Sequence, residues 1–536
     1  MCKQRRRQQH IPFPKQLVTD EARLSHPSWH LGARTPFLPL DVSHRVRILA
    51  AILLCAGAVW TGWLVGETIS APTLIGHHDF FAIYAAGTLI RTHQAQALYD
   101  PSALTAIERH ILPVPVGAAG YMAYLNPPAA AAAIAPLTYL PEPVARLVWL
   151  IISLGLGVAC GLLATTGLGL RIRLLAITMV MLSFPMFQTL AEGQSSLVLL
   201  LGALGALVLA RRRHPHLSGA ILALLWLKAQ LLVLALIWLL LLRRWRIVVS
   251  AIITVIVVTL LALPLTGSAS NVDYFRFLGS VAVSHASGAG AVTPTAWEGG
   301  LLGMENLLGL FATVVGQEHV TLVDVLTVAS SIALVVYFLA ATGRRWRRGE
   351  VTEFDGIAAV AVALLIDPHL YAQDCLLLVL MLAVGLRSIR SESDQAMLIV
   401  ACVGLMDLAV LDTVWTTGMP LRPPHLLTIA LIGVVLLLSR TSKASPTGPA
   451  LRWLFRFMRH GAAVPLGSGQ IPSGALALKT AVNLPITIAG FGGDERQSNP
   501  PLTPQQRPSN DCAPRSALAG AAKGHAGQPM YFGPTH

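Results

Sequence analysis

The chain has 536 residues, 54% hydrophobic and 12% charged, with mean hydropathy +0.63. Soluble domains carry about 25% charged residues, so this composition excludes an ordinary soluble enzyme and indicates an integral membrane protein. The formal net charge of +13 does not point to nucleic acid, because the basic residues stand in short clusters at the ends of apolar runs. There they act as topology signals and meet anionic lipid.

Residues 1–44 are basic and polar, with no apolar core and no small-residue cleavage site after the first apolar run. A cytoplasmic segment is expected there, not a cleaved signal peptide. Residues 45–440 read as one all-α, polytopic transmembrane domain. Runs such as "RILAAILLCAGAVWTGWLVG" and "LVWLIISLGLGVACGLLATTGLGL" approach or exceed the length that crosses a bilayer, and about 11–13 transmembrane helices are expected. After the first span comes "GHHDFFAIYAAGTLI" (76–90), then a loop containing "QALYDP" and "AYLNPP". The stretch "NPPAAAAAIAPLTYLPEP" (126–143) is expected to be a short re-entrant or tilted helix.

Orientation follows from the basic clusters at 44–47, 171–173, 211–216, 243–246, 344–348 and 387–390. If all are cytoplasmic, neighbouring clusters enclose an even number of crossings. "AEGQSS" (191–196) is then a hairpin tip, and the run between His216 and Arg243 is a kinked hairpin with Lys228 at its outer turn. Residues 441–536 are expected to be a cytoplasmic tail. It opens with a basic amphipathic helix, "LRWLFRFMRH" (451–460), and continues as a disordered Gly/Pro/Ser/Gln-rich stretch.

This arrangement gathers five segments on the extracytoplasmic face: 70–126, the Glu192–Gln194 tip, Lys228, a loop over 267–300, and "DPHLYAQD" (367–374). Asp79 before an apolar run reads either as a helix N-cap or as a functional carboxylate. His77 and His78 are poor chelators beside Asp79 without a distant third ligand, and no metal site is expected. The six cysteines (Cys2, Cys55, Cys160, Cys375, Cys402, Cys512) lack metal spacing and imply no disulfide framework. An unpaired ammonium inside an apolar segment costs about 2.5–3.5 kcal/mol on insertion scales, so Lys228 should line a wet cavity, meet an anion or snorkel. Glu192 and Gln194 read as a solvated tip or as site residues, and Asp367 as a turn cap before Pro368.

The order of these pieces resembles glycosyltransferase family 87, the GT-C class of polyprenol-phosphate-mannose-dependent mannosyltransferases, from about Val46 to Leu438. The resemblance rests on "DFFAIYAAGTLI…ALYDP", "YLNPPAAAAAIAPLTYLP", "EGQSSLVLLLGALGALVLARRR", "LSGAILALLWLKAQLLVLALIWLLLLRRWR" and "DPHLYAQDCLLL". It implies a GT-C-type fold with a structured first extracytoplasmic loop, Asp79 as catalytic base, and Lys228 and His369 on the donor phosphate. It further implies that His78, Tyr84, Tyr99, Asn126, Glu192, Gln194 and Asp374 contact substrate. The sequence departs from the family pattern at Asn126 and Gln373, where Tyr is usual, and at Ala229, where Pro commonly follows the lysine; the identity of the sugar stays open.

The implied reaction is an inverting transfer of a hexose, mannose first among them, from a polyprenyl-phosphate donor to a glycolipid or glycan acceptor. No cofactor and no nucleic-acid partner are implied. The implied location is a bacterial-type inner (plasma) membrane, with the site facing outward. The stretch 270–300, with His285, Trp297 and Glu298, reads as an acceptor-facing lid or a plain surface loop. Two other readings stand beside this one. A transporter would use Asp79 and Lys228 as substrate or coupling charges and would carry an internal repeat, and an inactive family member would keep the fold alone.

Overall fold

In the computed structural model the described residues are 42–70, 79–111, 124–287, 304–347, 353–410 and 425–441. All lie in one compact unit, Met1–Val464; a second unit, Pro465–His536, falls outside them. The N-terminal 41 residues, His77 and His78, Trp297, Glu298 and the expected helix at 451–460 also lie outside.

Among the described residues the secondary structure is helical, with no strand. In chain order the helices are α1 (Val42–Ser70), α2 (Asp79–Arg91), α3 (Pro101–Ile111), α4 (Pro128–Ile134), α5 (Glu142–Ala164) and α6 (Leu170–Met181). There follow α7 (Phe184–Glu192), α8 (Ser196–Arg211), α9 (Pro215–Leu222), α10 (Ala229–Leu241), α11 (Trp245–Ser287) and α12 (Leu307–Val315). The last are α13 (Val320–Arg347), α14 (Glu353–Ile366), α15 (Val379–Ser388), α16 (Glu392–Asp407) and α17 (Leu426–Thr441).

Large apolar side chains point outward along the long helices: Leu147, Ile151 and Leu162 on α5, Ile253, Ile256 and Leu261 on α11, Val325, Val328 and Ile332 on α13. In water such a surface drives association. Here it faces lipid, and the chain is a multi-pass membrane protein. Among the described residues 5 helical runs are long and apolar enough to cross, or up to 6 if α6 and α7, bent by 53° to one another, form one span. Shorter apolar helices (α8, most of α14 and α17) stand beside them. Length alone therefore does not fix the number of crossings, because Gly, Pro and 3-10 turns cut several arms short.

The run Pro215–Leu241 shows how. It is 27 residues long and strongly apolar on average, yet Lys228 adopts an extended conformation (φ −122°, ψ 90°) between a 3-10 turn (Ala223–Lys228) and α10. A straight helix would separate His216 from Leu241 by about 37 Å. Ser250 Oγ donates to the His216 carbonyl at 2.7 Å, and the chain from Leu241 to Ser250 spans at most about 22 Å. The run must therefore bend sharply, with Lys228 at the break, where the sequence predicts a turn.

Two more hairpins have the same form. α7 and α8 meet at Gly193–Ser195; α14 and α15 are joined by the turn 367–371 and a 3-10 segment, Ala372–Leu378. They contribute Met186, Leu197, Leu200, Leu365, Leu376 and Leu382 to the main core, which Ile399 of α16 and residues of other helices complete.

A smaller core lies between α2, α3 and α4, where Ala85, Leu89, Leu98, Leu104 and Tyr124 are buried together. This is the structured first loop. Asp100 starts α3 by accepting from Ser102 N at 2.9 Å and Ser102 Oγ at 2.8 Å, and those bonds hold its carboxyl below the usual carboxylate range. α4 has seven residues; at about 10 Å it is far too short to cross.

One expectation is corrected. The stretch from 267 is not a loop throughout, because α11 continues to Ser287. The helix breaks at Gly267 (φ 72°, ψ 164°), three residues past Pro264, and Asn271 Nδ2 donates across the break to the Gly267 carbonyl at 2.8 Å and to Thr266 Oγ1 at 3.1 Å. The polar residues that brace this restart are the ones that hid the helix from a hydropathy reading.

Candidate active site

Asp79 is the first residue of α2, and its neighbour Phe80 is fully buried. Phe80 packs near Tyr84 and Trp149, with ring centroids 6.1 and 6.4 Å away. It also lies against the tip between α7 and α8. Gly193 ends α7 in the left-handed conformation (φ 66°), and a Cβ there would lie 2.7 Å from Phe80 Cβ. Trp149 Nε1 donates to the Gly193 carbonyl at 2.8 Å. Glycine thus solves two problems at once, the backbone angle and the space. The result is that Asp79 starts its helix beside Glu192 and Gln194.

Lys228 forms an ion pair and hydrogen bond with Asp374 Oδ2. The Asp374 side chain is 0% exposed and that of Lys228 17%. Ser196 Oγ donates to Asp374 Oδ1 at 2.9 Å. One carboxylate therefore ties three hairpin tips: Ser196 from α7–α8, Lys228 from α9–α10, and its own from α14–α15. A buried charge needs this degree of satisfaction.

The turn before Asp374 is also anchored. Asp367 Oδ1 accepts from His369 N at 3.0 Å and more distantly from Gln230 Nε2 at 3.4 Å. The charge of Lys228 is within electrostatic reach of three carboxylates, Asp374, Asp367 and Asp79, and Tyr371 within reach of Asp79, Asp374 and Glu192. Residues from α2, the 191–196 tip, the Lys228 turn and the 367–374 segment so share one locus.

The other residues implied by the resemblance are placed as follows. Tyr84 OH donates to the Leu140 carbonyl at 2.8 Å, and Tyr99 OH to the Asn126 carbonyl at 2.8 Å. Tyr99 stacks on Phe277 at 5.7 Å and neighbours Tyr124 and Tyr274 at 6.0 and 5.8 Å. Burial pushes both phenols above their ordinary range, so each stays a neutral donor. His78 lies outside the described residues. Among the described residues no group of three His, Cys, Asp or Glu side chains is set to hold a metal.

Sequence reasoning passed over Ser196, although it stands in the quoted "EGQSS". It also missed Gln230, Glu305, Asn306 and His425. Glu305 and Asn306 precede an apolar run, where Asn is a favoured N-cap, and that was the available signal.

Comparison with known proteins adds the following. No curated protein and no solved structure matches the chain. The model of glycosyltransferase family 87 matches residues 124–368, an interval that holds the 191–196 tip, Lys228 and Asp367. This is the family the sequence resembles, and the match identifies the chain as carrying a glycosyltransferase family 87 region, which implies a membrane glycosyltransferase.

Proposed function

We propose that the protein transfers a hexose, with mannose the first candidate, from a polyprenyl-phosphate donor to a glycolipid or glycan acceptor on the extracytoplasmic side, inverting the anomeric centre. The observation that carries this reading is that a carboxylate at a helix start, Asp79, lies within electrostatic reach of a lysine held at a turn, Lys228. Inverting transfer needs one group of each kind. The acceptor hydroxyl oxygen forms a bond to the anomeric carbon, and Asp79 takes its proton. The bond from that carbon to the phosphate oxygen breaks, its electron pair leaving with the polyprenyl phosphate. Lys228, helped by His369 from the 367–371 turn, meets the charge that develops there.

Asp374 supports this assignment by fixing Lys228 from one side. An ammonium has three N–H donors, and Asp374 engages one; the others remain for a phosphate. Glu192, Gln194 and Asn126 serve the sugar hydroxyls in this reading, and His78, Tyr84 and Tyr99 are taken as further substrate contacts. A lipid-phosphate donor suits the location, since its headgroup lies at the interface and its tail in the bilayer. Nucleotide sugars are not supplied on the outer side.

The test is transfer of radiolabelled mannose from polyprenyl-phosphate-mannose to endogenous lipid acceptors, in membranes holding wild type or Asp79→Asn. Transfer by wild type and its loss in a normally inserted variant support the reading. Equal transfer by both removes Asp79 from the chemistry. Ion- or solute-driven uptake without transfer favours the transporter reading.

A further inference from the structure

We infer that Asn306 is a positioning residue: with the Glu305 amide it grips both ends of the 367–370 turn and thereby sets His369 and the Asp374–Lys228 pair for the donor phosphate. This deepens the reading above and rests on it for the identity of the ligand.

Asn306 is fully buried immediately before α12. Its side chain does two things. Oδ1 accepts from Gly309 N at 2.9 Å and caps the helix; Nδ2 donates to the Asp367 carbonyl at 2.6 Å. One residue earlier, Glu305 N donates to the Leu370 carbonyl at 2.7 Å. Two consecutive residues thus hold the first and last carbonyls of the four-residue segment "DPHL".

That segment has few means of holding itself. Pro368 has no N–H, and the His369 N–H goes to the Asp367 side chain at 3.0 Å. Buried carbonyls without a partner are costly, so the donors must come from outside the turn. Asn306 and Glu305 supply them. Their own seat is firm, because Thr313 Oγ1 of α12 pairs with His425 Nε2 at 2.7 Å, just before α17, and Thr428 Oγ1 approaches the Asn306 carbonyl at 3.5 Å.

The consequence runs along the chain. Fixing the Asp367 carbonyl fixes the carboxylate that faces Gln230 and the His369 amide; fixing Leu370 fixes the start of the 3-10 segment that presents Asp374 to Lys228 and Ser196. Asn306 touches neither Lys228 nor the donor in this scheme.

The experiment compares wild type with Asn306→Asp, full chain in lipid nanodiscs. Asp keeps the capping acceptor and removes the donor to Asp367. Asn306→Ser, which also caps but is too short to reach that carbonyl, replaces it if Asn306→Asp does not fold. Two quantities are read: amide hydrogen exchange over 367–374, and the affinity for polyprenyl phosphate alone. Exchange should quicken about tenfold or more and affinity should fall about tenfold, with the acceptor KM unchanged. Unchanged exchange overturns the inference, as does faster exchange with unaltered phosphate affinity, or equal loss for donor and acceptor. If wild type binds no polyprenyl phosphate, the donor reading fails, and the exchange result still decides the clamp.

Discussion

Lys228 reaches from the turn of its own hairpin to Asp374 on another, and the carboxylate it meets is wholly buried. The pair is a structural tie and a candidate part of the phosphate site, and the two roles separate by mutation. Removing one partner strands a buried charge, at a cost of about 3 kcal/mol, the low end of the usual range because Lys228 keeps some exposure. Asp374→Ala and Lys228→Met should each lower the unfolding midpoint in detergent. Lys228→Met combined with Asp374→Leu removes both charges and should recover most of that stability without recovering transfer. Recovery of transfer in the double variant would remove Lys228 from the phosphate site.

The tips of the hairpins were legible in the sequence because a charged or Gly-Gln interruption stands out inside an apolar run. Lys228 and "EGQ" announced themselves in this way, and the charge clusters pointed to the turn at Lys228. The ties between the tips were not legible. Ser196 lies 178 residues from Asp374, Asn306 lies 61 from Asp367 and Trp149 lies 44 from Gly193; each is an ordinary residue whose partner no local pattern reveals. The continuation of α11 past Gly267 was hidden for the opposite reason. Thr266, Ser270, Asn271 and Asp273 give a loop-like composition to residues that are helical.

Tyr99 anchors the first loop on Tyr274 and Phe277 of α11 through its ring and on Asn126 through its hydroxyl. Tyr99→Phe keeps the ring stack and leaves the Asn126 carbonyl without that donor. The expected loss is about 1 kcal/mol, seen as faster amide exchange over 95–111 and 124–134. A fall in donor affinity at unchanged exchange would instead place the hydroxyl on the sugar.

Gly193 carries two constraints that substitution can tell apart. Ala is strained at φ 66° by about 1–2 kcal/mol and also collides with Phe80. Asn tolerates the left-handed conformation but brings the same Cβ. If contact with Phe80 is what sets Asp79 beside the 191–196 tip, Gly193→Asn and Gly193→Ala should lose transfer alike, by about tenfold or more for a shift of roughly 1 Å. Transfer retained by Gly193→Asn alone would show that backbone conformation, not the approach of Phe80, is the constraint.

Asp79 begins α2, so its removal threatens structure as well as chemistry, and the choice of replacement decides what is learned. Asn and Ser start helices nearly as well as Asp, and neither takes a proton from a hydroxyl. Asp79→Asn and Asp79→Ser should therefore keep the unfolding midpoint close to wild type while kcat falls about 10²–10⁴-fold, the usual contribution of a positioned base. Asp79→Glu keeps the base but lengthens its reach, and Phe80 fixes the backbone against Gly193, so the longer side chain cannot retreat. It should fall between wild type and Asp79→Asn in kcat with the donor KM little changed. A loss of stability that tracks the loss of kcat across all three variants would assign Asp79 to the helix start and leave the base to be sought at Glu192.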